Sequence, residues 1–389
     1  MLRSHSLFGQ ILSLISRPQF ARHVRDLKAE RYAKGFAAWD QLVAMLFCHL
    51  AQAKSLREIT GGLKTCLGKL NHIGMERAPA RSTLSYANGH RPWELFQRVF
   101  QDLVGVCHEI APRHRFRFRN PLRSLDATVI ELCQSMFDWA KYIKTKGAVK
   151  LHLLLDHDGH LPTWALLTEG RVHEVRVARL LRLPAGSIVV VDRGYNDYSL
   201  FEAWDDQGVW FVTRLKSNAR FRVVADWSES AKGRNIRADQ IIRLEGMNRE
   251  LRRIVVWDEQ KEEDVAFLTN HVTFAASTIA AIYRQRWQIE IFFKTLKQHL
   301  KIKTFVGTSA NAVHVQVWTA LIAVLLLKYL QFKSRMGWSL SHLVALVRWN
   351  LFTYRDLWAW LDNPYDTPPG DGSPQPVQMT LDSIWGARA

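Results

Sequence analysis

Two hydrophobic periods divide the chain. Up to about residue 118, apolar residues recur at three- and four-residue steps, as in Trp39, Leu42, Val43, Leu46, Phe47 and Leu50 and again in Trp93, Phe96, Val99, Phe100 and Leu103. That spacing is one buried face of a helix, and Gly61-Gly62, Gly74 and Gly89 mark turns between such segments. The first twenty residues, interrupted by Gln10, Ser13 and Ser16 before Pro18, read as an amphipathic helix rather than a signal peptide. A core helix, a short helix over residues 55–63, a turn, and a polar helix that Ser82 and Thr83 could cap follow in order. Such an order fits a helix-turn-helix reader of the major groove. It fits equally a helical bundle with a solvated basic face. Residues 111–121 alternate Arg115, Phe116, Arg117 and Phe118, as an extended connection or a basic edge strand would.

From there the period changes to two. Strands are predicted at 122–132, 149–155, 161–167 and 188–191, with a short helix over 174–183 and a two-residue hairpin turn at Asp158-Gly159. A helix over 198–206 and a strand over 209–213 follow. Further strands are expected at 221–224, 240–244, 251–257 and 265–268, and after Ser277 the pattern is mostly helical to 361. The expected organisation is an α/β protein: a helical domain over 1–118, a second domain over 119–361 with a β-rich insertion at about 214–270, and a flexible tail over 362–389, rich in Pro, Gly and Asp. No repeat of 20 to 50 residues suggests a solenoid.

A formal net charge of +17 calls for an anionic partner. Residues 1–119 hold 19 Lys or Arg against 8 Asp or Glu, so much of the surplus is local to the helical segment. Cys48, Cys66, Cys107 and Cys133 form no CxxC pair and read as reduced, packed thiols of a cytoplasmic protein. The longest uncharged apolar run, 317–327, is 11 residues, about half of the ~20 that span a bilayer. It predicts a core helix and no membrane partner.

Three acids stand out. Alternation puts Asp126 on one strand face with Ser124 and Thr128, opposite Leu125, Ala127 and Val129. Asp192 follows Ile188-Val-Val-Val191, at the carboxyl end of a buried strand where open α/β sheets place ligands. If residues 283–297 form one helix capped by Ser277, then Tyr283, Arg286, Glu290 and Lys297 share a stripe about 60° wide. That stripe borders the apolar face of Ile289, Phe293, Leu296 and Leu300, so Glu290 is expected in a partly desolvated cleft among cations.

Tyr283, Arg286, Glu290 and Lys297, in the pattern Tyr-x2-Arg-x3-Glu-x6-Lys, resemble the signature of bacterial insertion-sequence transposases of the DDE class, in the group named after insertion sequence four. Leu125-Asp126-Ala127-Thr128 is similar to the first-aspartate strand of that family, and Val191-Asp192-Arg193-Gly194-Tyr195 to its second-aspartate turn. Ser55-Leu-Arg-Glu-Ile and Arg81-Ser-Thr-Leu-Ser resemble the helical domain that precedes the catalytic core in one branch, so the likeness runs from about Phe8 to Leu361. His173-Glu174 departs from an expected His-Asp and puts the role of that second-row acid in question.

The resemblance implies a ribonuclease-H-like core in which Asp126, Asp192 and Glu290 bind two Mg2+ ions, with Mn2+ as a substitute. In-line displacement at a phosphodiester needs its attacking and leaving oxygens stabilised from opposite sides, which two ions about 4 Å apart provide, and Mg2+ favours carboxylate oxygens. The same resemblance assigns Tyr283, Arg286 and Lys297, and secondarily Arg193, to phosphates beside the scissile bond. It implies terminal inverted repeats and target DNA as partners and a synaptic homodimer near the nucleoid. Relatives use a residue of the β insertion to hold a flipped base, for which Trp210, Trp227 and Trp257 are the candidates here. Asp156-His157-Asp158-Gly159-His160 has metal-binding residue types but is read as a polar hairpin turn. Trp338 to Trp360 is read as packing the domain or a dimer contact. A nuclease that cuts without joining and a DNA-binding remnant with a dead site are the competing functions.

Overall fold

The computed structural model describes residues 5–31, 33, 35–66, 68–132, 141–143, 146–230, 235–299 and 305–366. Cys133, Leu300 and residues 367–389 of the expected tail lie outside them. Six helices come first: α1 (Leu7–Leu12), α2 (Arg17–Asp26), α3 (Ala38–Leu50), α4 (Leu56–Thr65), α5 (Arg81–His90) and α6 (Glu94–Ile110). Then follow β1 (Leu122–Leu132), β2 (Lys141–Ile143), β3 (Lys146–Asp156), β4 (Leu161–Glu169), α7 (Glu174–Ala178), β5 (Ile188–Val190), α8 (Tyr198–Asp206) and β6 (Trp210–Arg214). Strands β7 (Phe221–Asp226), β8 (Ile236–Leu244), β9 (Glu250–Asp258) and β10 (Glu263–Thr269) precede α9 (Ala276–Arg284), α10 (Trp287–His299), α11 (Ala310–Lys333), α12 (Leu340–Asn350) and α13 (Leu357–Asp362).

Several local expectations change in three dimensions. Helix α1 is not amphipathic: all six residues are buried, because the chain end tucks beneath α13 and the turn at Asn71–Ile73. Pro18 does not stop a helix but sits in the first turn of α2, where its missing N–H costs nothing. Ser55 caps α4, its hydroxyl accepting from the Glu58 N–H at 3.2 Å. The residue preceding α5 is Ala80, so Ser82 and Thr83 lie inside the helix rather than capping it. Residues 66–80 separate α4 from α5, far more than the three or four of a helix-turn-helix.

Helix α11 organises the helical half. It is long and apolar enough to cross a bilayer, yet most of it is buried, sheathed by α3, α5, α6, α12 and β4. One continuous core joins Phe8, Leu46, Phe96 and Phe100 to Leu151 and Leu153 of β3, Ile289 and Phe293 of α10, and Leu321 and Leu325 of α11. The N-terminal helices therefore share their core with the sheet and the C-terminal helices. Trp338 belongs to it too, its indole N–H donating to the Leu361 carbonyl at 2.8 Å with Trp360 stacked beside it. Cys48 and Cys107 are buried thiols, and burial pushes both up to about 12.

The ten strands form one sheet in the order β2-β3-β1-β5-β6-β10-β9-β8-β7, with β4 also paired to β3. Strand β3 runs antiparallel to β1 and β4 antiparallel to β3, whereas β5 is parallel to β1 and β6 parallel to β5. The β-rich stretch expected as an insertion extends this sheet past β6 through the β6–β10 pair. Its buried Arg252 and Asp239 form a bidentate pair, at 2.7 and 2.6 Å. Arg252 also donates to the carbonyl of Phe274 at 2.5 Å, tying the added strands to the entry of α9. Between β3 and β4, residues 157–160 turn with positive φ at Gly159 and His160, so the hairpin pivots one residue later than Asp158-Gly159.

Candidate active site

Register brings the two aspartates together. In the parallel β1–β5 pair Leu122 opposes Ile188 and Ser124 opposes Val190; carried two residues further, the same register sets Asp192 beside Asp126 on the same side of the sheet. That side is not simply open to water. Leu122 packs toward α9 and Ile130 and Leu132 toward the α11 core, while Leu125 packs on the opposite side with Val189, Val191 and Phe201. Both faces of β1 are thus covered, and Asp126 lies in the gap between two cores. Burial pushes its carboxyl up to about 6, helped by Asp192 and Glu290 and opposed by the Ala127 N–H and Arg286. Asp192 is half-buried, and its Oδ1 accepts the Gly194 N–H at 2.5 Å. A Cβ at Gly194 would stand 2.8 Å from that oxygen, so glycine is what permits the approach.

The expected single helix over 283–297 is two helices, and α9 begins after Ala275 rather than at Ser277. Arg286 and Gln288 make i to i−3 backbone bonds at 3.0 Å that tighten the junction. The break follows from packing: Ile279 and Ile282 serve the core beneath β5 and β6, whereas Ile289, Phe292, Phe293 and Leu296 serve the core around α11. The turn still gathers three of the four stripe residues. Arg286 lies 5.9 Å from the Tyr283 ring centroid, pairs with Glu290, and reaches Asp126 Oδ2 with Nη1 at 3.5 Å. Burial lowers the Arg286 guanidinium, but Tyr283 and Glu290 outweigh it and leave it raised. Lys297 turns instead to the sheet, its Nζ donating to the Val129 carbonyl at 3.0 Å. Arg193 is exposed beside Asp192.

Asp126 and Glu290 therefore flank one guanidinium, and Asp192 stands near Asp126; the three carboxylates offer oxygen donors suited to a hard divalent cation. In this arrangement no three His, Cys, Asp or Glu side chains among the described residues are grouped so as to hold a metal ion, and Arg286 pairs with both Asp126 and Glu290. Tyr195 lies beneath the acids, 1% exposed, its hydroxyl without a hydrogen-bond partner. The sequence signal for it was its place in Asp192-Arg-Gly-Tyr195. Glu174 answers the departure at 173–174: its carboxylate accepts from buried Lys150 at 2.8 Å, and Lys150 also donates to the Val172 carbonyl at 2.9 Å. Burial raises the Glu174 carboxyl, and the Lys150 hydrogen bond outweighs it to leave it below its usual value.

Beside Arg286 opens a cleft lined by Arg214, Val256, Trp257, Tyr283, Arg284 and Trp287. Trp287 is 59% exposed on the first turn of α10; its place directly after Arg286 was its only sequence signal. Of the insertion tryptophans, Trp257 lines this cleft, Trp210 leans on His271 with ring centroids 4.6 Å apart, and Trp227 lies near Arg252. The 156–160 turn is polar and tied to its surroundings: His157 bonds Ser124 at 2.8 Å, Asp158 accepts the His114 N–H at 2.8 Å, and Asp156 pairs with Arg123.

Residues 117–326 match the family described as transposase DDE domain, and residues 3–76 match a domain of unknown function. A Sinorhizobium fredii protein named as a transposase is 31% identical over 314 residues, 78% of this chain and 86% of its own length. A Geobacillus stearothermophilus protein named for insertion sequence element IS5377 is 30% identical, covering 69% of this chain and 72% of its own. A piggyBac transposase synaptic complex with hairpin DNA overlaps 93% of this chain and 81% of that one at 10% identity and a TM-score of 0.44, too loose a likeness to carry weight. The chain belongs to the DDE transposases, metal-dependent enzymes of the insertion-sequence type.

Proposed function

We propose that this enzyme binds the terminal inverted repeats of its own insertion sequence, cleaves at the element ends and joins the freed 3′-OH ends to target DNA, as a member of the group named after insertion sequence four. The observation that carries the reading is that Arg286 joins Asp126 to Glu290 while Asp192 lies close enough to Asp126 to raise its carboxyl. The strand order β4-β3-β1-β5-β6, antiparallel on one side of β1 and parallel on the other, supports a ribonuclease-H-like core. Bound there, two Mg2+ ions would activate the attacking oxygen and stabilise the leaving one, and Mn2+ would substitute.

The protein's own residues supply position and charge. Asp126 is held within β1 and Asp192 in the turn just past the neighbouring β5, while Glu290 arrives on a separate helix whose entry turn carries Arg286. Arg286 and Tyr283, with Arg193 at the rim, would orient the phosphates for in-line attack. Lys297 would act by anchoring α10 to β1 rather than by touching DNA. Trp257 and Trp287 offer stacking faces for a base displaced beside the cut.

Helix α5 is the candidate repeat reader. Arg81, Ser82, Thr83, Ser85, Tyr86 and His90 are exposed while Leu84, Ala87 and Asn88 are buried, and the Tyr86 and His90 rings stack at 4.0 Å. This face holds donors, acceptors and no acid. Catalysis on two ends requires a homodimer, acting on the nucleoid in the bacterial cytoplasm. The test is incubation of purified protein with a labelled duplex ending in the flanking inverted repeat and a supercoiled plasmid, with Mg2+ or EDTA. Metal-dependent joining is expected; cleavage without joining would make it a nuclease, and binding without cleavage in any metal would make it a silent DNA-binding protein.

A further inference from the structure

The segment joining α6 to β1 has a two-residue alternation that neither helix nor strand explains. Arg113, Arg115, Arg117 and Arg119 are all exposed, and His114, Phe116, Phe118 and Asn120 between them are all partly buried. Each even position is pinned to the body of the protein. The His114 N–H donates to Asp158 at 2.8 Å, and its imidazole hydrogen-bonds the Asn120 carbonyl at 3.1 Å. Phe116 stacks on Phe118 at 4.9 Å, Phe118 on Phe274 at 4.8 Å, and the Asn120 amide donates to the Gly186 carbonyl at 2.8 Å. Phe274 is itself held by Arg252.

The result is a loop with fixed backing and four guanidiniums on its free side. None of the four pairs with an acid among the described residues. Guanidinium forks suit phosphate oxygens, and fixing the backbone beforehand spares the ordering cost that a flexible basic loop would pay on binding. Residues 115–118 bend, and the His114 imidazole closes the loop on the Asn120 carbonyl, so the four long side chains fan out from one compact turn towards neighbouring backbone phosphates.

Position connects this row to the acids. Phe116 and Phe118 pack with Leu122, Ile188, Ala276 and Ile279, on the face of the sheet that carries Asp126. Helix α9 starts two residues after Phe274 and ends beside Tyr283, a length of ~13 Å, about the rise of four base pairs at 3.4 Å each.

We propose that Arg113, Arg115, Arg117 and Arg119 grip the sugar-phosphate backbone of duplex DNA a few base pairs from the site of strand cleavage, independently of sequence. This rests on the reading of the chain as a DNA-processing enzyme. The experiment is fluorescence anisotropy of the full-length protein with a repeat-end duplex and with an unrelated duplex, across KCl from about 50 to about 200 mM. The variants are R113A/R115A/R117A/R119A, the corresponding fourfold Lys variant, and the milder R115A/R117A, each first checked for an unchanged melting temperature. At ~0.9 per phosphate contact, the fourfold Ala variant should flatten the slope of log K against log salt by about 3.6 for both duplexes and the double variant by about 1.8; the Lys variant should keep the wild-type slope. Unchanged slopes in the folded double or fourfold Ala variant would overturn the grip while leaving the DNA reading intact. Failure of the wild type to bind either duplex would overturn both.

Discussion

Arg286 stands between Asp126 and Glu290, with Nη1 3.5 Å from Asp126 Oδ2 and its other terminal nitrogen on Glu290. One cation thus bridges an acid at the centre of β1 and an acid on α10. It offsets part of the repulsion that would otherwise part them, and it competes for the same oxygens as any divalent ion. Arg286→Gln should therefore melt at lower temperature than wild type in EDTA and gain more from added Mg2+, while strand cleavage falls. Thermal melts with and without Mg2+ read this directly, and an equal Mg2+ gain in both proteins would count against the competition.

Asp126→Asn, Asp192→Asn and Glu290→Gln should each abolish strand cleavage, a loss of at least ~1,000-fold corresponding to ~4 kcal/mol of transition-state stabilisation. Binding of the repeat-end duplex should persist. Gel-shift and cleavage assays on the same preparations separate the two, and an active single variant would remove that residue from the proposed site.

Asp126 also carries a stability cost. Its folded carboxyl is raised from 3.8 to about 6, so the stability that goes with its protonated form is present below about pH 4 and is lost as pH rises through about 6. Asp126→Asn at pH 8 in EDTA should accordingly be more stable than wild type by on the order of 3 kcal/mol, and the gain should shrink toward pH 4. Urea denaturation at the two pH values measures it.

Three buried imidazoles act in the opposite sense. His157 is lowered to about 3, and His152 and His271 to about 4, chiefly by burial. Their folded values lie below the unfolded 6.5, so the stability they contribute is complete above about pH 6.5 and drains as pH falls toward 4. Unfolding near pH 5 should take up close to three protons from this set, a slope of roughly 4 kcal/mol per pH unit. His157→Gln, which can keep a hydrogen bond to Ser124, should reduce that slope by about one proton.

Lys297→Met should cost about 1–2 kcal/mol of folding stability, through loss of the bond to the Val129 carbonyl. Cleavage should fall further than stability explains, because α10 carries Glu290. A variant that loses stability but cleaves normally once folded would confine Lys297 to a structural part.

Strand β1 and helix α8 are legible in the chain to the residue, since their period comes from neighbours along it. So are the three acids as chemical types and the Tyr283-to-Lys297 spacing. The break after Arg284 is not, because no glycine or proline marks it and it arises from two cores pulling the flanking segments apart. Nor could periodicity distinguish a separate β module from four strands that prolong the sheet, since both alternate in the same way.

Local alternation and composition settled that this protein is α/β, basic, and carries one acid inside a strand, one just past a strand end and one on a late helix. Long-range packing alone settled that the first helices share one core with α11, that Lys297 meets a backbone carbonyl, and that Arg286 joins Asp126 to Glu290. It also turned the alternation at 113–119 into a pinned row of arginines. Side-chain period depends on the nearest few residues, whereas the partner a charged group finds depends on strand register and helix docking, which are set by apolar burial far away in the chain.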